Sequence, residues 1–205
     1  MKTLLGPRQQ FDWKIVTIIV ASTLLLTVDW YPAPFTINKV YERTIFYFVI
    51  PMLLILLVFR ENPRDYGFTF GDWKAGLALT AISIILIAPV LWLVAHGGAM
   101  TDYYKNQVGG LPWNTFADLF GWEFFFRGFI LFAFYKKFGP DALWLQAVPF
   151  ALAHLGKPEV ETLSTIFGGF VFGWIAYRSR SFVYPFIIHW FVASFTIIVA
   201  AGFLG

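Results

Sequence analysis

Seven stretches of this 205-residue chain are apolar over enough length to enter the hydrocarbon of a membrane, and no other feature constrains the fold as much. A bilayer core of about 30 Å needs about 20 residues at a helical rise of about 1.5 Å each. The stretches run over 13–28, 41–59, 73–95, 112–135, 141–155, 160–177 and 182–203. Pro, Gly and charged residues mark the joints, as in Asn62-Pro63-Arg64-Asp65, Gly97-Gly98, Gly139-Pro140-Asp141 and Gly156-Lys157-Pro158. Trp13, Trp30, Tyr31, Trp73, Tyr103, Tyr104, Trp113 and Tyr177 stand near the ends, where amphipathic rings favour the membrane–water boundary.

Composition agrees with lipid as the solvent. Hydrophobic residues make up 59% of the chain and charged residues 13%, more apolar surface than a soluble domain of this size can hide. Backbone groups in lipid must satisfy one another, and the expected fold is therefore all-α, a polytopic transmembrane helix bundle of about seven helices forming one membrane domain over 1–205. The absence of Cys excludes disulfides and thiolate metal sites. No basic tract suggests a nucleic-acid partner. Met1 to Lys14 lacks a signal-peptide layout, so the first apolar run reads as an uncleaved membrane helix.

Orientation follows from the basic residues. With the amino terminus inside, Lys2, Arg8, Lys14, Arg60, Arg64, Lys74, Lys136, Lys137, Arg178 and Arg180 fall on the inner side, and Lys39, Arg43, Lys105 and Lys157 on the outer. Arg127 remains within the bilayer. This bias predicts a multi-pass integral membrane protein with a cytoplasmic amino terminus, in the plasma membrane if the cell is prokaryotic.

Ionisable groups inside a membrane helix are costly and point to function. Glu123 and Arg127 lie four residues apart on one helix face and can pair. By helical rise, Glu123, His154 and His189 all come to about the middle of the bilayer from three different segments. A lone buried His is more often a hydrogen-bonded core residue than a catalyst. Two beside one carboxylate form a set that can deprotonate water. Two His and one Glu also match the ligand set of a hydrolytic zinc site, but their spacing is not H-E-x-x-H, so a zinc ion is admitted and not required. The fifth stretch is short and contains Pro149, so the turn 155–161 should dip to membrane depth beside a cavity. Glu159 and Glu161 suit the positive end of the next helix, and Glu161 could instead add a carboxylate to the site. Gly169 and Gly173 form a GxxxG for close helix packing within the bundle. The segment 63–77 reads as an ordered interfacial turn, and Arg178 and Arg180 as inner-surface anchors.

The run Glu123-Phe124-Phe125-Phe126-Arg127-Gly128 resembles the first motif of the CAAX protease and bacteriocin-processing (Abi) family, whose pattern is EExxxR, then FxxxH, then HxxxN or a relative. Phe150 to His154 reads as the second motif, and His189 to Ala193 stands where the third belongs, within a motif region at about 112–203. The resemblance implies an intramembrane endopeptidase that hydrolyses a peptide bond with water activated by Glu and His, acting on a peptide or membrane-protein substrate. It carries catalytic roles to Glu123, Arg127, His154 and His189: Glu123 with His154 as water activators, and His189 as oxyanion stabiliser. Two positions depart from the pattern. Trp122 replaces the first Glu, and Ala193 replaces the Asn. Loss of an oxyanion donor costs on the order of 10²–10³ in rate, and loss of a base about 10²–10⁴. Either Glu123 or Glu161 replaces the missing carboxylate, or the chain is a non-catalytic relative, a membrane scaffold or immunity-type binding protein. A small transporter fits less well, since the halves show no internal repeat.

Overall fold

The computed structural model describes residues 10–31 and 38–204, and every regular element among them is helical. The expected amino-terminal flank with Lys2 and Arg8 lies outside the described residues.

Helix α1 spans Trp13–Trp30, α2 Lys39–Phe59, and α3 Trp73–Ala95. A short helix, α4, covers Gly98–Tyr104. Helix α5 runs over 113–138, and α6 over 142–152 in two pieces on either side of Gln146. Helix α7 spans Glu159–Ser179 and α8 Val183–Ala200. Five of these, α1, α2, α3, α7 and α8, are long and apolar enough to cross a membrane. With α5 and the short α6 they make the expected seven-helix bundle of a multi-pass integral membrane protein.

Local chemistry sets the helix ends. Asp12 accepts the Ile15 N–H, Asn38 the Val40 N–H and Asp72 the Ala75 N–H, each relieving an unpaired donor in a first turn. Arg60 and Arg180 take left-handed backbone conformations that stop α2 and α7.

Helix α5 is the centre of the bundle. All residues from Gly121 to Leu131 are buried, and α1, α2, α7 and α8 pack around them. Phe124, Phe125, Phe126 and Phe129 have no exposed surface and hold the core with Tyr47, Ile55 and Phe182. Over Phe124–Ile130 the helix widens to π geometry, a form that often accompanies functional sites. Helix α3 lies at the periphery, against α8, α7 and α4.

Two expectations are sharpened. Gly169 and Gly173 let α7 close on α6 within the bundle, because a Cβ on Gly169 would press on Ala147 and Phe150 and one on Gly173 on the Gln146 amide. The fifth segment, expected as helix to 155, ends at Leu152, so His154 stands on the turn that follows. The helix stops because its bonds tighten. His154 N–H donates to the Ala151 carbonyl and Leu155 N–H to the Leu152 carbonyl, and Gly156 then turns the chain with φ +91°. Thr162 Oγ1 donates to the His154 carbonyl at 2.8 Å, which satisfies a backbone group of a turn packed inside protein.

Candidate active site

The widened turn of α5 places Glu123 and Arg127 in the bundle interior, both fully buried. Arg127 Nε lies 3.3 Å from Glu123 Oε2. The guanidinium carbon sits 3.9 Å from the centre of the Phe150 ring, 5.3 Å from Phe172 and 5.8 Å from Phe126. Three aromatic faces therefore take the role that water plays for an exposed arginine, since a desolvated cation is attracted to the ring quadrupole. A buried pair of this kind adds little net stability, because desolvation offsets the attraction. The pair leaves a carboxylate and a guanidinium facing each other with no exposure to solvent.

The other Glu123 oxygen meets α8. His189 Nδ1 is 2.6 Å from Glu123 Oε1, a contact that joins residues 66 apart in sequence. His154 Nδ1 lies 2.7 Å from the Phe150 carbonyl oxygen. A carbonyl and a carboxylate only accept, so both rings carry their proton on Nδ1 and present Nε2 as an acceptor. The two rings are nearly parallel, 24° apart, with centres separated by 6.4 Å. Phe150 packs on both, at 4.5 Å from His154 and 5.9 Å from His189. One phenylalanine thus carries the arginine on its face, orients both imidazoles and anchors His154 through its carbonyl.

A cavity of about 660 Å³ reaches this site between α3, α5, α7 and α8. Most of its wall surface is apolar, with Leu86, Val90, Val171, Ile188 and Val192 contributing, while Arg43, Asp118, His154, Lys157, Glu161 and His189 bring polar groups to it. At the end formed by α4 and the start of α7, Glu161 lines it. That carboxylate is held on both oxygens, by Tyr104 hydroxyl at 2.6 Å and by Lys157 Nζ at 2.7 Å. Glu161 therefore shares the cavity with His154 and His189 and also sits in the first turn of α7, so both of its sequence-based readings describe the same placement.

The two departures from the family pattern have clear surroundings. Trp122 is buried behind His154, its ring edge-on to the imidazole at 5.8 Å and against Tyr47 at 5.3 Å, with the Arg43 guanidinium 5.5 Å from its centre. It is not among the residues that line the cavity and packs behind them. Ala193 does line the cavity and brings no polar side chain to it.

Sequence reading passed over Asp118, one turn before Trp122. Its Oδ2 accepts from Arg43 Nη1 at 3.1 Å, and its Oδ1 is buried with no protein partner while the residue lines the cavity. Its spacing of five from Glu123 offered no face match, and only the packing of Arg43 from α2 reveals it.

A metal fits this donor set poorly. One Glu123 oxygen is taken by His189 and the other faces the Arg127 cation, each histidine has one free nitrogen, and no three His, Asp or Glu residues among those described stand close enough to share an ion.

Fold and site together define a multi-pass helical membrane protein with a glutamate, an arginine and two histidines buried beside an apolar cavity. Residues 105–195, the segment that holds all three motifs, match the profile of the family described as type II CAAX prenyl endopeptidase, Rce1-like. Members of that family are in general proteases. None of the curated proteins matches the chain, and none of the solved structures does.

Proposed function

We propose that the protein is an intramembrane endopeptidase that hydrolyses a peptide bond in a membrane-embedded or membrane-delivered polypeptide. The observation that carries this reading is the 2.6 Å contact by which the buried Glu123 holds His189, a residue that lines the cavity together with His154. Glu123 fixes the tautomer of His189 and stabilises the imidazolium that forms when Nε2 takes a proton. A water held between the two Nε2 atoms gives that proton to an imidazole, its oxygen attacks the scissile carbonyl carbon, and the same proton passes to the leaving amine as the C–N bond breaks. His154 Nε2, which carries no proton, accepts from the same water and orients it, while the protonated His189 Nε2 faces the oxyanion before it gives its proton to the leaving amine. Arg127 holds Glu123 in place. Asp118, which lines the cavity and keeps a buried Oδ1 without a protein partner, is a better substitute for the missing first Glu than Glu161, whose oxygens are both occupied. The reaction needs no metal in this scheme.

The same chain is proposed to form one membrane domain with its amino terminus in the cytoplasm, and to lie in the plasma membrane if the cell is prokaryotic. Ion pairs support this grouping of charges: Lys14 and Lys136 meet Glu61, Lys137 meets Asp12 and Arg178 meets Asp72 at one end, while Arg43 and Lys39 meet Asp29 at the other.

The test is cleavage of quenched fluorescent membrane peptides by the purified protein in bilayers, with E123Q, H154N and H189N as variants. Each should lose about 10²–10⁴ in kcat/KM. Equal cleavage by all three and the unaltered protein would remove the site assignment. A second reading, a non-catalytic binding member, is favoured by Trp122 and Ala193 standing where a carboxylate and an amide are expected. It predicts capture of a partner that survives H154N and H189N, with no cleavage by any form.

A further inference from the structure

A second concave site lies at the opposite end of the bundle from Glu161. Arg64, Lys136 and Arg180 line one pocket of about 370 Å³, with Asp65, Thr69, Gly71, Phe132, Tyr135 and Tyr177. Arg64 comes from the turn between α2 and α3, Lys136 from the last turn of α5, and Arg180 from the end of α7. Three separate segments thus bring three cations to one hollow, against one carboxylate.

The hollow is held in shape by backbone contacts. Asp72 N–H donates to the Ser179 carbonyl at 2.8 Å, and Phe182 N–H to the Gly67 carbonyl at 3.2 Å, which ties the 63–72 turn to the α7–α8 turn. Gly71, with φ +49°, lies so close to the Ser179 carbonyl that any side chain would collide with it. Tyr135 and Tyr177 stack with centres 4.2 Å apart beside the cations. Neighbouring basic groups at this end have anions of their own: Lys14 pairs with Glu61 and Arg178 with Asp72. Arg64 and Arg180 make no ion pair among the described residues, and Lys136 has only a long 3.7 Å contact to Glu61. Three cations against the single carboxylate of Asp65 leave an excess of positive charge in the hollow, and an anion there relieves the repulsion.

We propose that this pocket binds the phosphate of an anionic phospholipid headgroup. Its position at the ends of three membrane-packed segments sets the occupant: basic pockets between helix ends at the membrane surface take acidic lipid heads, and the acyl chains can follow the apolar flanks of the helices. Arg supplies a planar fork that suits phosphate oxygens, Lys adds a point charge, and the stacked tyrosines border the glycerol level. The proposal is independent of the protease reading, because it uses no residue of the Glu123–His189 site and its test needs no cleavage.

The experiment is native mass spectrometry of the whole chain released from micelles containing phosphatidylglycerol or phosphatidylcholine, with inorganic phosphate as a separate arm. The unaltered protein should retain one phosphatidylglycerol and prefer it over phosphatidylcholine. R64Q/K136Q/R180Q should lose that preference by about a hundredfold, from about fivefold for each basic group. K137Q, a cation of the same helix end that does not line the pocket, should keep it. R64E alone, at an exposed position, should weaken it at least tenfold and serves if the triple variant proves unstable. Retention of the preference by R64E and the triple variant, or its equal loss in K137Q, overturns the proposal. Displacement of the lipid by millimolar inorganic phosphate, with no preference among lipids, would also overturn it and mark a site for the free anion.

Discussion

Helices α3 and α5 invert the usual relation between hydrophobicity and depth. Helix α3 has the highest mean hydropathy of the five spanning helices, 2.6, and most of its surface faces outward, with Ile85 71% exposed and Leu93 67%. Helix α5 carries Asp118, Glu123 and Arg127, and its middle, from Gly121 to Leu131, is buried throughout. In water the more apolar helix would be inside. In lipid, apolar side chains lose nothing by facing the solvent, so the periphery goes to Leu and Ile, and ionisable groups are tolerated only where other protein groups meet them. Charge within a spanning segment is therefore the mark of the interior, and of the site.

Four predictions can break or sharpen this contrast. The largest effect belongs to α5. R127L leaves the Glu123 carboxylate buried without its partner and should destabilise the bundle by about 3–5 kcal/mol, read by unfolding in mixed detergent. E123L/R127L removes both charges and should be markedly milder than R127L; an equal or greater loss would mean that the pair is held for net stability. Next, D118N should keep the fold and lower kcat/KM about tenfold to a hundredfold, the worth of one hydrogen bond to a charged group, while E161Q stays closer to the unaltered protein. The reverse order would return the second carboxylate to Glu161.

A smaller effect is expected at the membrane surface. A hydrogen bond from Arg178, with a further one from the Ala75 N–H, holds the Asp72 carboxyl below its usual pKa. A group whose folded pKa is depressed adds stability above its unfolded value, about 3.8, and that stability is lost as pH falls through the folded value. D72N should thus lower the melting temperature slightly at pH 7, and the gap should close in acid. A gap that stays constant down to pH 3 would assign the loss to capping geometry and not to charge. Smallest of all, I85A on α3 should shift stability by no more than about 0.5 kcal/mol, since the side chain faces lipid. A loss of several kcal/mol would show that α3 packs against something beyond the described bundle.

The helix count and the order of segments were legible because the bilayer sets a length scale and lipid forces backbone bonds to be local. The limits of α6 were less so. Whether His154 ends a helix or begins a turn depends on tightened bonds after Ala151 that no periodicity records. The same limit applies at the site. Glu123 and Arg127 announce themselves at a spacing of four, and the common depth of His154 and His189 follows from helical rise. The pairing of Glu123 with His189, the orientation of both imidazoles by Phe150, and the place of Trp122 behind His154 required helices distant in sequence to come together.

Sequence alone determined a helical membrane bundle with four costly polar groups at its middle, because hydropathy and helical rise act along one segment at a time. Tertiary structure decided which of those groups touch. It joined Glu123 to His189, gave both oxygens of Glu161 to Tyr104 and Lys157, and left one buried oxygen of Asp118 without a protein partner. The physical reason is range: a hydrogen bond is made or lost within a fraction of an ångström, and that distance is fixed only when α5, α7 and α8 are packed.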